Sequence, residues 1–156
     1  MQIVYYSLNG TTEKISRQLA GQLDLPLYRI EDVSSRKGMF GFMRSGFEST
    51  FRKCPKIRPV EGFKPDGEPV LLLAPVWAGK LSSPMRSFCT QYAGLFKSFV
   101  LIMTHLDRKN RYEEIKDEIA AILGAECDLF DSFCAETFQP DEIQLLGRRL
   151  EEKYRV

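Results

Sequence analysis

Val70-Leu71-Leu72-Leu73-Ala74, closed in by Pro69 and Pro75, and Phe99-Val100-Leu101-Ile102-Met103, between Ser98 and Thr104, are two unbroken apolar runs. Runs this short read as strands buried on both faces. Such strands belong to parallel sheets covered by helices. Gln2–Tyr6 reads as a third strand, while Leu25–Ile30 and Cys127–Phe133 mix apolar with polar residues, as edge strands do.

Helical patterns fill the intervals. Ile15, Leu19 and Leu23 recur at four-residue spacing. Ser82-Ser83-Pro84 is a cap with proline in the first turn, ahead of Met85, Phe88, Cys89 and Tyr92. Asn110 and Glu113 resemble a capping box before Tyr112, Ile115, Ile119 and Ile122, with Gly124 as the stop. A last helix starts at Pro140 and carries Ile143, Leu146 and Leu150. Alternation of this kind predicts an α/β fold, a doubly wound five-stranded parallel sheet of order 2-1-3-4-5 with helices on both faces. Ligands of such sheets sit beyond the carboxyl ends of the strands, near the switch between strands 1 and 3.

Composition sets the bounds. The 156 residues fit a single domain, 1–156, able to bury its own core. A net charge of +1 argues against nucleic acid as the main partner. No apolar run is long enough for a membrane span, and no membrane partner is expected. The amino terminus reads straight into a strand rather than into a signal peptide, so the expected compartment is the cytoplasm. Cys54, Cys89, Cys127 and Cys134 lack C-x-x-C spacing and His105 is the only histidine, so these read as mostly buried thiols and no metal site is expected.

Two loops carry chemistry. Ser7-Leu8-Asn9-Gly10-Thr11-Thr12 joins strand 1 to the first helix with three hydroxyls, an amide, a glycine and no acid. Backbone N–H groups and the helix dipole at such a site favour an anion, and a phosphate can be held there without a lysine. Strand 3 ends in Pro75-Val76-Trp77-Ala78-Gly79, which places the only tryptophan at the ligand edge of the sheet. A planar aromatic there can stack on a ring, and Gly79 lets backbone approach closely. Thr104-His105-Leu106-Asp107 is expected to line the other side.

Tyr6-Ser7-Leu8-Asn9-Gly10-Thr11-Thr12 resembles the phosphate loop of the flavodoxin family, usually Ser/Thr-x-Thr-Gly-Asn-Thr. Ser7, Gly10 and Thr12 match it, while Asn9 and Thr11 replace the usual threonine and asparagine. Pro75-Val76-Trp77-Ala78-Gly79, with Pro84 and Phe88, resembles a second segment of short flavodoxin-like proteins, one residue longer here. The resemblance implies FMN as cofactor. It also implies electron transport with a redox partner protein or a small-molecule acceptor. An oxidoreductase using NAD(P)H to reduce FMN or a quinone is the alternative, and a binding module without flavin a third. Many flavodoxins place a tyrosine in the third loop; Thr104–Asp107 has none.

Other readings lack their motifs. There is no G-x-x-x-x-G-K-S/T, no G-x-G-x-x-G after strand 1, no acids at the strand 1 end, and no C-x-x-x-x-x-R. No nucleophile–base pair stands out, so no catalytic residue is assigned. Between Ser34 and Arg58, Arg36, Lys37, Arg44, Arg52, Lys53, Lys56 and Arg58 stand against Glu48 alone. Met39, Met43, Phe47 and Phe51 fall four apart, which predicts a helix packing these residues inward with Arg44, Glu48 and Arg52 outside. A basic lid or docking surface is the alternative for this segment.

Overall fold

The computed structural model describes residues 1–155. Five parallel strands form the sheet: β1 (Gln2–Tyr5), β2 (Leu27–Arg29), β3 (Val70–Trp77), β5 (Ser98–His105) and β6 (Glu126–Cys134). Their order is β2-β1-β3-β5-β6, the expected 2-1-3-4-5 once the short β4 (Lys80–Leu81) is set aside. β4 is an addition to the expected fold. It folds back antiparallel on β3, pairing Val76 with Leu81 and Trp77 with Lys80.

Side-chain alternation divides the buried strands between two cores. Ile3, Tyr5, Leu71, Leu73, Val100 and Ile102 face α1 (Thr11–Leu23) and α5 (Pro140–Tyr154), against Ile15, Leu19, Ile143, Leu146 and Leu150. Val4, Tyr6, Leu72, Ala74, Phe99, Leu101 and Met103 face α3 (Ser83–Gln91) and α4 (Glu114–Leu123), against Met85, Phe88, Ile115 and Ile119. The runs read in the sequence as buried on both faces are so because successive residues enter opposite cores.

Capping differs from expectation at α4. Asn110 Oδ1 accepts the Tyr112 N–H at 2.8 Å, an Asx turn rather than a capping box. Tyr112 takes φ +58° and leaves the helix face assigned to it. A capping box does form at α5, between Gln139 and Glu142. Of the cysteines, Cys89 is buried but Cys54 is exposed, with Cys127 and Cys134 between, so the thiols are not mostly buried. Among the described residues, no helix is long and apolar enough to cross a membrane.

The helix α2 (Gly38–Thr50) exists where periodicity placed one, but it is turned over. Gly41, Ser45, Glu48 and Ser49 are buried. Met39, Met43, Phe47 and Phe51, expected inside, are each more than half exposed, as are Phe40 and Phe42. The reason is ionic. Arg36, whose side chain is 1% exposed, sits beneath the helix and pairs with Asp32 at 2.8 Å and with Glu48 at 2.7 Å. Glu48 also holds Arg44 at 2.7 Å and accepts from the Ser83 hydroxyl at 2.9 Å. A buried guanidinium needs its carboxylates close, so the helix presents its polar face inward. Gly41 permits the approach, since a Cβ there would stand 2.0 Å from the Arg36 carbonyl oxygen.

Candidate functional site

A cavity of about 590 Å³ opens at the carboxyl ends of β1, β3 and β5. Three loops and α2 form its walls. Ser7, Asn9, Thr11 and Thr12 stand at one end, with Leu8. Pro75, Val76, Trp77, Ala78 and Gly79 form one side, and Thr104, His105, Leu106 and Asp107 the other. Gly10, also expected at the site, does not line the cavity. It takes φ +89° as the residue before α1, a left-handed turn glycine adopts without penalty.

The first loop leaves hydrogen-bond donors free at the start of α1. α1 begins with no side-chain cap, so Thr11 and Thr12 do not spend their hydroxyls on capping. Its first N–H groups have no intrahelical acceptor. The Gly10 N–H donates to Ser7 Oγ at 3.1 Å, which tightens the turn. Thr12 is buried, and its hydroxyl bonds that of Thr104 at 2.7 Å, tying the first loop to the third. Glu13, the acid in the first turn, is engaged by Arg17 at 2.8 Å and Arg29 at 3.3 Å. Lys14 turns away, with its ammonium 5.8 Å from the Phe138 ring.

The second loop is a two-residue hairpin. Ala78 at φ +49° and Gly79 at φ +71° have the positive angles a type I′ turn requires. β3 therefore runs on past Pro75, and Trp77 is fixed as its last residue instead of hanging in a loop. Trp77 packs edge-to-face on Tyr6, with centroids 5.4 Å apart, and the Arg36 guanidinium lies 5.2 Å from its ring centre. The Tyr6 hydroxyl in turn donates to Asp32 at 2.7 Å. Tyr6, Asp32, Arg36 and Glu48 thus form one chain of contacts linking Trp77 to α2. Burial first, then the bond to Asp32, raises the Tyr6 phenol above its ordinary range. Burial works to raise the Glu48 pKa, but bonds from Arg44, Arg36 and Ser83 outweigh it and hold the carboxyl below 4.5.

On the third side His105 is 8% exposed, and neither ring nitrogen has a hydrogen-bond partner. Burial lowers its pKa below 6.5, with Asp107 opposing, so the imidazole is neutral at pH 7. Tyr112 meets it edge-on at 5.5 Å and also lines the cavity. A Cβ at Gly79 would lie 3.8 Å from Tyr112 Cε1, so the tyrosine packs against the tip of the hairpin at the cavity wall. The third loop has a tyrosine neighbour after all, supplied by the Asx turn at Asn110. The reading by helical periodicity missed it by placing Tyr112 on the helix. It also missed Phe42, Met43, Ser45, Gly46 and Ala135 in the lining. The four-residue spacing that includes Met43 was visible, but only the buried ion network shows which way α2 faces.

No family model and no curated protein matches the sequence. Solved structures do match the fold. A protein assigned as a flavoprotein from Bacteroides eggerthii has a TM-score of 0.75 at 15% identity, covering 99% of this chain and 97% of its own. A similar assignment from Bacteroides uniformis gives 0.72 at 13% identity, covering 94% and 96%. A flavoprotein from Lactobacillus acidophilus, crystallised in complex with FMN, gives 0.69 at 15% identity, covering 84% and 91%. The chain has the flavodoxin-like fold of these flavoproteins.

Proposed function

We propose that this chain binds FMN in the cavity and passes electrons through it to a partner. The observation that carries the reading is the juxtaposition at the sheet edge. An acid-free anion cradle lies at one end of a largely apolar cavity whose sides are Trp77 and the His105–Tyr112 pair. A phosphate-bearing planar ring needs both halves in that order. The flavoprotein of Lactobacillus acidophilus, with the same fold, was solved with FMN, which supports the choice of flavin.

Bound FMN would supply the redox chemistry itself. The chain binds, orients and tunes. The free N–H groups at the start of α1, with Ser7, Asn9 and Thr11, hold the phosphate. Trp77 and Tyr112 flank the ring position, and the neutral His105 offers it one N–H donor and one acceptor. Leu8, Phe42 and Met43 exclude water from the cavity.

Titration of the apoprotein with FMN and with riboflavin, followed by the fluorescence of the single tryptophan, tests the reading. FMN is expected to bind at least about tenfold more tightly, the contribution of one charge-assisted hydrogen bond. Equal affinities reduce the loop to an ordinary helix start. Rapid direct reduction of the bound flavin by NADPH replaces the carrier by the reductase of FMN or quinones.

A further inference from the structure

Outside the cavity, the outer face of α2 is the feature that neither folding nor flavin binding explains. Leaving aside Phe42 and Met43, which line the cavity, Met39 is 78% exposed and Phe40 89%, and Phe47 and Phe51 both exceed half. Phe47 and Phe51 pack on each other in the open, with centroids 4.6 Å apart. Leu106, on the opposite rim of the cavity, is exposed as well. At ~200 Å² per large side chain, Met39, Phe40, Phe47 and Phe51 together show on the order of 600 Å² of apolar surface. Patches above a few hundred Å² mark interaction sites.

The charge around this patch selects the occupant. Lys37, just before α2, and Arg52, Lys53 and Lys56, just after it, are exposed, while Arg58 is engaged by Glu31. The one acid of the segment, Glu48, is buried and already paired. Since the chain totals +1, the residues outside 34–58 are net acidic and the basic excess belongs to the segment that carries α2. A second copy laid on this face would bring like charges together. An anionic surface satisfies them. The exposed apolar side chains also stand out from the helix beside the cavity mouth instead of packing on the rest of the molecule. A soft planar surface accepts that shape. Phenylalanine and methionine flanked by lysine and arginine is the composition of helices that lie in the lipid interface.

We propose that α2 seats this protein on an anionic lipid surface, with Phe40, Phe47 and Phe51 entering the headgroup boundary, Lys37 and Lys53 meeting lipid phosphates, and the cavity mouth turned toward the bilayer. The expectation of no membrane partner rested on the lack of a spanning segment, which does not bear on contact from one side. The inference needs no flavin in the cavity, so its failure and the failure of the FMN reading are separate outcomes.

Flotation of the full-length protein with vesicles of phosphatidylcholine and phosphatidylglycerol, at about three to one, against phosphatidylcholine alone is the test. Binding to the mixed vesicles is expected, with at least a tenfold lower partition on the neutral ones. Each of Lys37→Gln and Lys53→Gln should weaken it by about fivefold. The double variant Phe40→Ser with Phe47→Ser should weaken it by roughly tenfold or more, with an unchanged melting curve because both residues are outside the core. Absence of binding to the mixed vesicles overturns the proposal, as does binding indifferent to the double variant. A dimer in sedimentation that the double variant dissociates, with no vesicle binding, assigns the face to a second copy instead.

Discussion

Replacing Arg36 by methionine should be among the most damaging single changes outside the apolar cores. The guanidinium is buried between Asp32 and Glu48, whose side chains are themselves only 13% and 12% exposed. Methionine fills much of the volume but leaves two carboxylates facing each other under α2. Removing one partner of a buried pair costs about 3–5 kcal/mol. The lower end applies here, because Asp32 keeps the Tyr6 hydroxyl and Glu48 keeps Arg44 and Ser83. Loss of the guanidinium over Trp77 adds about 0.5–2 kcal/mol. The expected total is about 3.5–5 kcal/mol, measured by urea unfolding with Trp77 fluorescence as the probe. Arg17→Met is the control, since its guanidinium is exposed to solvent and its pair with Glu13 should contribute little in the same assay. Adding Glu48→Gln to the Arg36 variant should recover part of the loss, because it removes a stranded charge. A cost below about 1 kcal/mol, or no recovery in the double variant, would refute the view that this ion network decides which way α2 faces.

Three further perturbations follow from local geometry. Gly41→Ala should destabilise by about 2 kcal/mol, although alanine is the better helix former, because its Cβ meets the Arg36 backbone; Gly21→Ala in α1, with open space around it, should gain up to about 1 kcal/mol in the same unfolding assay. Ala78→Gly should raise stability by roughly 0.5–1 kcal/mol, since alanine is strained at φ +49°, and a loss would mean the type I′ turn is misassigned. Acidification should lower stability in two stages. His105 and Glu48 both have depressed folded pKa values, so the unfolded chain takes up protons first: the first loss begins below pH 6.5 and the second below 4.5. Melting temperatures followed across that range check this, and His105→Asn should remove the first stage alone.

The division between sequence and structure follows from the range of the forces involved. Hydrophobic periodicity is local, so the strands at Val70–Ala74 and Phe99–Met103, the helices between them and the strand order were legible from the chain alone. The position of the first loop was legible too, because Ser7 to Thr12 follows β1 and runs straight into α1, which sets it at the cavity with no distant contact needed. Other features depend on contacts between residues distant in sequence or on backbone angles that composition does not show. Alanine at a positive φ gives no composition signal for a hairpin, so Trp77 was placed in a loop rather than at the end of β3. Tyr112 reached the cavity only because an Asx turn lifted it off the helix. Above all, the spacing of Met39, Met43, Phe47 and Phe51 specifies a helix with one apolar face but cannot say whether that face points inward. The choice was made by a buried arginine between two carboxylates: with Arg36 out of water its carboxylate partners must stand beside it, and the pair with Glu48 turns the polar face of α2 inward.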